Sequence, residues 1–191
     1  MNRKHVTYSD YYELDGMIYE INTTIQSGCY TPILKSGISQ LNICYDKWKR
    51  VFVYFFALHD HIQREDSKHV SNFIDKKLKP YLEKNYDMKQ VGYLWVREQE
   101  KAKSQHYHFV LYLDGDKIQH PRILSKALKD LWENGSNDDK TIGYVKNSFY
   151  DVRGIEELHR AVTRLSYLAK ERGKGYRPPQ SKDFGRSRLT N

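Results

Sequence analysis

A chain of 191 residues that is 39% hydrophobic and 29% charged has the balance of a soluble globular protein, which excludes a disordered one. The length suits one domain with a small appendage. No apolar run approaches the length that spans a bilayer; the longest, Val51 to Leu58, is of strand length. The formal net charge of +8 points to a polyanionic partner, nucleic acid being the commonest, although an inert basic surface would carry the same charge.

Met1-Asn2-Arg3-Lys4-His5 leads into polar residues without an apolar signal segment, so a cytoplasmic location and no membrane partner are expected. Cys29 and Cys44 have neither C-x-x-C nor metal-ligand spacing and fit a reducing compartment. Ser9-Asp10 caps an expected helix to about Gln26, with Leu14, Ile18, Ile21 and Ile25 on one face and Gly28 as its stop. A short second helix is expected from Gly37 to Lys47, with Ile38 and Leu41 inward. Residues 1–48 then form a helical extension packed on a main domain of residues 49–191.

The main domain opens with Val51 to Leu58, a continuous apolar and aromatic run that reads as a central strand. Asp66 or Ser67 caps a helix carrying Val70, Phe73, Ile74, Leu78 and Leu82 inward, with Pro80 expected to kink it. Val91 to Glu98 is a second strand. Lys101 to Gln105 turns the chain, and His106 to Leu113 is a third strand, ended by Asp114-Gly115 and paired with the second as a hairpin. Pro121 opens a helix with Leu124, Leu128 and Leu131 inward, closed by Asn134-Gly135. Thr141 to Val152 is a fourth strand, and a helix runs from Gly154 to about Arg172. Pro178-Pro179 ends regular structure and leaves a mobile or DNA-ordered tail. The expected fold is α+β: a ferredoxin-like, split βαβ antiparallel sheet of four to five strands. Its helices lie on one face and its other face is free, and the C-terminal helix carries a tyrosine.

His106 and His108 stand two apart in a strand, so both imidazoles face one side and reach one ion. Glu98, at the end of the paired strand, completes a two-histidine, one-carboxylate set with positions left open for water or a phosphate oxygen. Two exposed histidines on a sheet face are the bland alternative. Glu100 has the same parity as Glu98 and is a second carboxylate candidate. His59 and His61 form a competing His-x-His pair after the first strand, ranked lower because regular pleating is expected to have stopped there.

In the last helix Leu158, Val162, Leu165 and Leu168 make the apolar stripe. Tyr167 lies away from it, near Thr163 and Lys170, where a core tyrosine would not sit. A neighbouring cation favours a phenolate and offsets charge on a reacting phosphate. These features mark Tyr167 and Lys170 as catalytic candidates among 16 tyrosines, with Tyr176 as the rival nucleophile. A flat-packed helix would turn Tyr167 away from the sheet, so the helix must project past the sheet edge or the stripe must be rotated. From Arg160 to Arg188 cations are interleaved with aromatics. Arg164, Arg172, Lys174, Tyr176, Arg177 and Arg186 are the candidate DNA contacts, neutralising phosphates and stacking on bases.

Leu94-Trp95-Val96-Arg97-Glu98, His106-Tyr107-His108 with its apolar run and Asp114-Gly115, Tyr167-Leu168-Ala169-Lys170, and the tail Asp183-Phe184-Gly185-Arg186-Ser187-Arg188 resemble the HUH endonucleases. The closer likeness is to replication proteins of filamentous phages and related prophage-encoded proteins, over roughly Val51 to Arg188. The resemblance implies that His106, His108 and Glu98 hold Mg²⁺ or Mn²⁺. It also implies that Tyr167 nicks single-stranded DNA through a covalent 5′-phosphotyrosine, initiating rolling-circle replication on single-stranded DNA or an origin hairpin. Thr163 and Glu171 stand where a second tyrosine would fall, so a single-tyrosine enzyme follows. No G-x-x-x-x-G-K-[ST] loop is present, so a separate helicase is expected and no small-molecule cofactor. A relaxase or single-tyrosine transposase would share this chemistry. A non-enzymatic RNA-recognition-like module would share the fold without needing the histidines. A two-histidine, one-carboxylate iron oxygenase fits a thin sheet and basic tail poorly.

Overall fold

The computed structural model describes residues 5–62, 64–99, 106–134, 140–172, 174 and 181–190. The chain is α+β, and its main sheet has five antiparallel strands. Two small ribbons precede it. β1 (Val6–Thr7) pairs with β4 (Cys29–Tyr30), and β2 (Tyr11–Leu14) pairs with β3 (Met17–Glu20).

The β2–β3 hairpin stands where a helix over residues 10–26 was expected. Asp15 and Gly16 take φ of 53° and 78°, the two left-handed positions of a two-residue hairpin turn whose twist matches that of its strands. The three- and four-residue spacing of Leu14, Ile18, Ile21 and Ile25 therefore marks no helical face. Ile25 is 98% exposed and Ile18 61%, whereas Tyr19 is fully buried on the other side of the strand.

α1 (Thr31–Trp48) starts six residues before the expected Gly37, because Pro32 in its first turn already holds helical φ. It ends where Lys49 turns left-handed and donates its N–H to the Tyr45 carbonyl. Its buried stripe of Ile33, Leu34, Ile38, Leu41 and Cys44 shares one core with the sheet.

The main sheet follows. β5 (Val51–Asp60) leads to a composite helix: α2 (Lys68–Phe73), a π-helical turn (Ile74–Leu78) and α3 (Lys79–Tyr86). Pro80 lacks an N–H and crowds the carbonyl four residues back, and the widened turn immediately before it absorbs that conflict. β6 (Gly92–Glu98), β7 (His106–Asp114), α4 (Arg122–Glu133), β8 (Lys140–Val152) and α5 (Ile155–Ser166) complete the expected order. β9 (Phe184–Arg186) is a fifth strand on the edge of β6, so the sheet order is β8-β5-β7-β6-β9.

Helices cover both faces of the sheet, so the expected free face does not exist. On one side the composite helix and α4 bury Phe73, Leu78, Leu124 and Leu128 against Phe52, Phe56 and Phe109. On the other, α1 and α5 bury Ile38, Leu41, Leu158 and Leu165 against Val53, Leu94 and Val110. Burying about 25 cal/mol per Å² of apolar surface on both faces makes the sheet the centre of the molecule. Burial also pushes the thiols up, Cys29 to about 11 and Cys44 to about 12, so both are held as inert core residues. Among the described residues no helix is long and apolar enough to cross a membrane.

The tail is tied down rather than loose. The Ser187 N–H reaches the Tyr93 carbonyl at 3.0 Å, and the Leu189 N–H reaches Gln40 Oε1 at 3.1 Å. Gly185 lies against the Trp95 indole so closely that a Cβ there would stand 2.6 Å from it, and only glycine permits that approach.

Arg50, just before β5, holds Asp151, near the end of β8, through two hydrogen bonds of 2.9 and 2.8 Å. The Arg50 hydrogen bonds, opposed by partial burial and helped by Arg153, bring the Asp151 carboxyl down to about 2. A depressed carboxylate stabilises the fold above its unfolded value near ~4, and that contribution fades as the pH falls towards 2. Urea midpoints of Asp151→Asn, measured from pH 7 to pH 2, should therefore lie below wild type at neutral pH and converge with it at the acid end.

Candidate metal and tyrosine site

The site begins with the pleat. In β6 Leu94 and Val96 face the α1–α5 core, and in β7 Val110 and Tyr112 do the same. Alternation then sends Glu98, His106 and His108 to that side as well. The ladder pairs Glu98 with His106 and Val96 with His108. One ligand atom from each of Glu98, His106 and His108 falls within 4.8 Å of those of the other two. His108 Nε2 lies 3.0 Å and His106 Nε2 3.4 Å from Glu98 Oε2.

Sequence reasoning missed the fourth member. Lys174, expected to contact DNA, is buried, and its ammonium donates to Glu98 Oε1 at 2.8 Å and to the Lys170 carbonyl. Burial alone would raise the Glu98 carboxyl, but hydrogen bonds from both histidines and the Lys174 charge hold it well below the usual carboxylate range. Burial pushes Lys174 down, and Glu98 partly restores it. Nothing in the spacing of a glycine-flanked lysine in a basic segment distinguishes this ion pair from a surface cation.

β5 extends to Asp60, so His59 stays within regular pleating and pairs with His106, their ring centroids 5.5 Å apart. His61 is exposed in the bend beyond. Neither belongs to the Glu98–His106–His108 cluster.

The tyrosine arrives from the opposite wall. α5 ends at Ser166, six residues before the expected Arg172, and Tyr167–Ala169 form a 3₁₀ turn. Tyr167 thus stands at the junction of α5 and this tighter turn, and it lines the same cavity as Glu98, His106 and His108. Tyr167 is 50% exposed. The Arg164 guanidinium stands 5.5 Å and the Lys170 ammonium 4.6 Å from its ring centroid.

The N-terminal strands fix this turn. The Ser166 hydroxyl accepts the Asn22 N–H at 2.7 Å, the Thr163 hydroxyl donates to the Glu20 carbonyl at 3.1 Å, and the Glu171 N–H donates to the Gly28 carbonyl at 3.0 Å. Cys29 bridges Lys170 in antiparallel fashion.

One open cavity of ≈ 590 Å³ is lined by Glu98, His106 and His108 on the sheet side and by Arg164, Tyr167 and Lys170 on the other. Arg172 stands on its rim, exposed. Arg186, grouped with these in sequence, lies on β9 and lines a separate groove. Glu100, Tyr176 and Arg177 lie outside the described residues.

The sequence profile of the YagK/YfjJ C-terminal domain matches residues 17–187. The chain belongs to this family. No curated protein and no solved structure matches it. The span of the YagK/YfjJ domain runs from β3 to β9 and crosses the expected boundary at residue 48, in keeping with the core that α1 shares with the sheet.

Removing one partner of a buried ion pair leaves the other charge uncompensated, at a cost of about 3 kcal/mol. Glu98→Gln should lower the unfolding free energy of this YagK/YfjJ domain by about that amount in metal-free buffer. Adding Lys174→Met should recover much of the loss, read as a coupling in a double-mutant cycle of urea midpoints.

Proposed function

We propose that this domain is a metal-dependent endonuclease that nicks single-stranded DNA through Tyr167 and initiates rolling-circle replication. The observation that carries the reading is the shared cavity: a carboxylate and two imidazoles face a half-exposed tyrosine flanked by two cations. Such an array suits a phosphodiester, which needs an electrophilic clamp on its oxygens and a nucleophile on the phosphorus. The strand order β8-β5-β7-β6 is that of a split βαβ unit, which also fits the HUH-like reading.

The donor set fits Mn²⁺ or Mg²⁺, since two imidazole nitrogens and one carboxylate leave positions open. When bound by Glu98, His106 and His108, the ion would polarise a phosphate oxygen and stabilise developing charge. Lys170 and Arg164 attract the phosphodiester to the tyrosine side of the cavity. The Tyr167 oxygen forms a bond to phosphorus as the bond from phosphorus to the 3′ oxygen breaks. The phenol proton leaves to solvent through the open side, and the 3′ oxygen takes one up. The products are a 5′-phosphotyrosine and a free 3′ hydroxyl that primes synthesis, with unwinding left to a separate helicase. The phosphotyrosine linkage conserves the bond energy, so a later 3′ hydroxyl reseals the strand by the reverse transfer.

A relaxase or a transposase would use the same residues on a different DNA. The RNA-recognition-like alternative is disfavoured, because among the described residues helices cover both faces of the central strands β5 and β7, where such a module would stack bases.

Labelled single-stranded DNA, including origin-like hairpins, incubated with Mn²⁺ and run on a denaturing protein gel tests the proposal. A labelled protein band should form with wild type, vanish in Tyr167→Phe and with chelator, and form about tenfold more slowly in Lys170→Ala. A band that persists in Tyr167→Phe would move the nucleophile elsewhere. Tight DNA binding with no adduct from any substrate would overturn the nuclease reading.

A further inference from the structure

β6 divides two openings of unlike chemistry. Glu98 and its cavity face the α1–α5 side. On the other side, between the α2–α3 flank and β9, runs a groove of ≈ 850 Å³. Lys68, Lys79, Lys89, Lys182, Arg186 and Arg188 line it, against two acids, Asp66 and Asp75. Lys68 stands 3.3 Å from Asp66 and Lys79 2.7 Å from Asp75. Lys89, Lys182, Arg186 and Arg188 have no carboxylate partner among the described residues, and all four are exposed.

The groove walls are pinned together. The Ser181 hydroxyl donates to the Glu65 carbonyl at 3.0 Å, and the Lys182 N–H points at the Ser67 hydroxyl at 3.4 Å. β9 fastens the far wall to β6. Four unneutralised cations are thus held along a fixed channel rather than scattered over a surface.

The aromatics decide the occupant. Single-strand tracks offer exposed rings on which bases stack. Here Trp95 is 3% exposed beneath Gly185, Tyr93 is half-buried with the Lys79 ammonium 5.8 Å from its ring centroid, and Phe184 is half-buried against the α1–α5 core. Cations without free rings suit a backbone whose bases are already stacked inside a helix. We propose that this groove docks the phosphate backbone of duplex DNA, separately from the tyrosine cavity. A substrate with a base-paired stem and a single-stranded arm would then be gripped on both sides of β6. The docking itself stands whether or not Tyr167 nicks DNA.

Binding of a labelled blunt duplex of about two helical turns, measured by fluorescence anisotropy with the full chain in chelator, tests this. Lys89→Glu/Lys182→Glu/Arg188→Glu should weaken duplex binding about tenfold or more and flatten its salt dependence. Arg122→Glu/Lys126→Glu on α4, beside β8 at the opposite sheet edge, should have little effect, and the groove variant should form the adduct with a short single strand as wild type does. The proposal is overturned if the groove variant keeps wild-type duplex affinity, or if the α4 variant loses as much per charge, which would mark the binding as generic attraction to a basic protein. Because chelator removes any metal chemistry, failure of the nicking reading would leave this result untouched.

Discussion

Everything at the candidate site depends on the register of the β6–β7 ladder. Pleating sends Glu98, His106 and His108 to the same side, and the pairing of Glu98 with His106 brings their ligand atoms together. A slip of one residue would turn Glu98 into the opposite core and leave the two imidazoles without a carboxylate. The register is held by core residues that take no part in the chemistry. Leu94, Val96, Val110 and Tyr112 fill one core, while Trp95, Phe109 and Leu111 fill the other. The two-sided burial that closes the sheet to stacking ligands is therefore also what makes the site rigid.

The second constraint is where α5 stops. The α-helix gives way to a 3₁₀ turn at Tyr167, and the segment from Glu20 to Cys29 holds that turn through Thr163, Ser166, Lys170 and Glu171. The N-terminal strands thus have a part in the site: they clamp the tyrosine turn. Lys174 ties the same region to the sheet by its ion pair with Glu98. The carboxylate is consequently a junction between the two walls of the cavity, and its charge is balanced from both.

Much of this was legible in sequence. Continuous apolar runs gave the central strands, the His-x-His parity gave two of the cluster residues, and the hairpin gave Glu98. Tyr167 is marked by its distance from the helix stripe and Lys170 by its place about one turn on, and the structure brings both to the cavity. The errors have physical causes. Over residues 10–26 a helix-like spacing of apolar side chains outweighed the Asp15-Gly16 turn signal, which is specific for a hairpin. The covered second face was hidden because α1 and α5 pack together on the side expected to be free, a tertiary arrangement that no local spacing shows. The docking of β9 rests on its pairing with β6 and on the close fit of Gly185 against Trp95, long-range contacts that no local pattern encodes. Lys174 looked like its basic neighbours because burial is a tertiary property.

Mn²⁺ binding followed by electron paramagnetic resonance tests most directly whether Glu98, His106 and His108 form one divalent-ion site. One Mn²⁺ per chain should bind wild type, with the free-ion signal lost on addition of protein. His106→Ala/His108→Ala should leave the free-ion signal unchanged while retaining wild-type circular dichroism. Wild-type protein that fails to take up Mn²⁺, or a folded histidine variant that takes it up as well as wild type, would contradict the account.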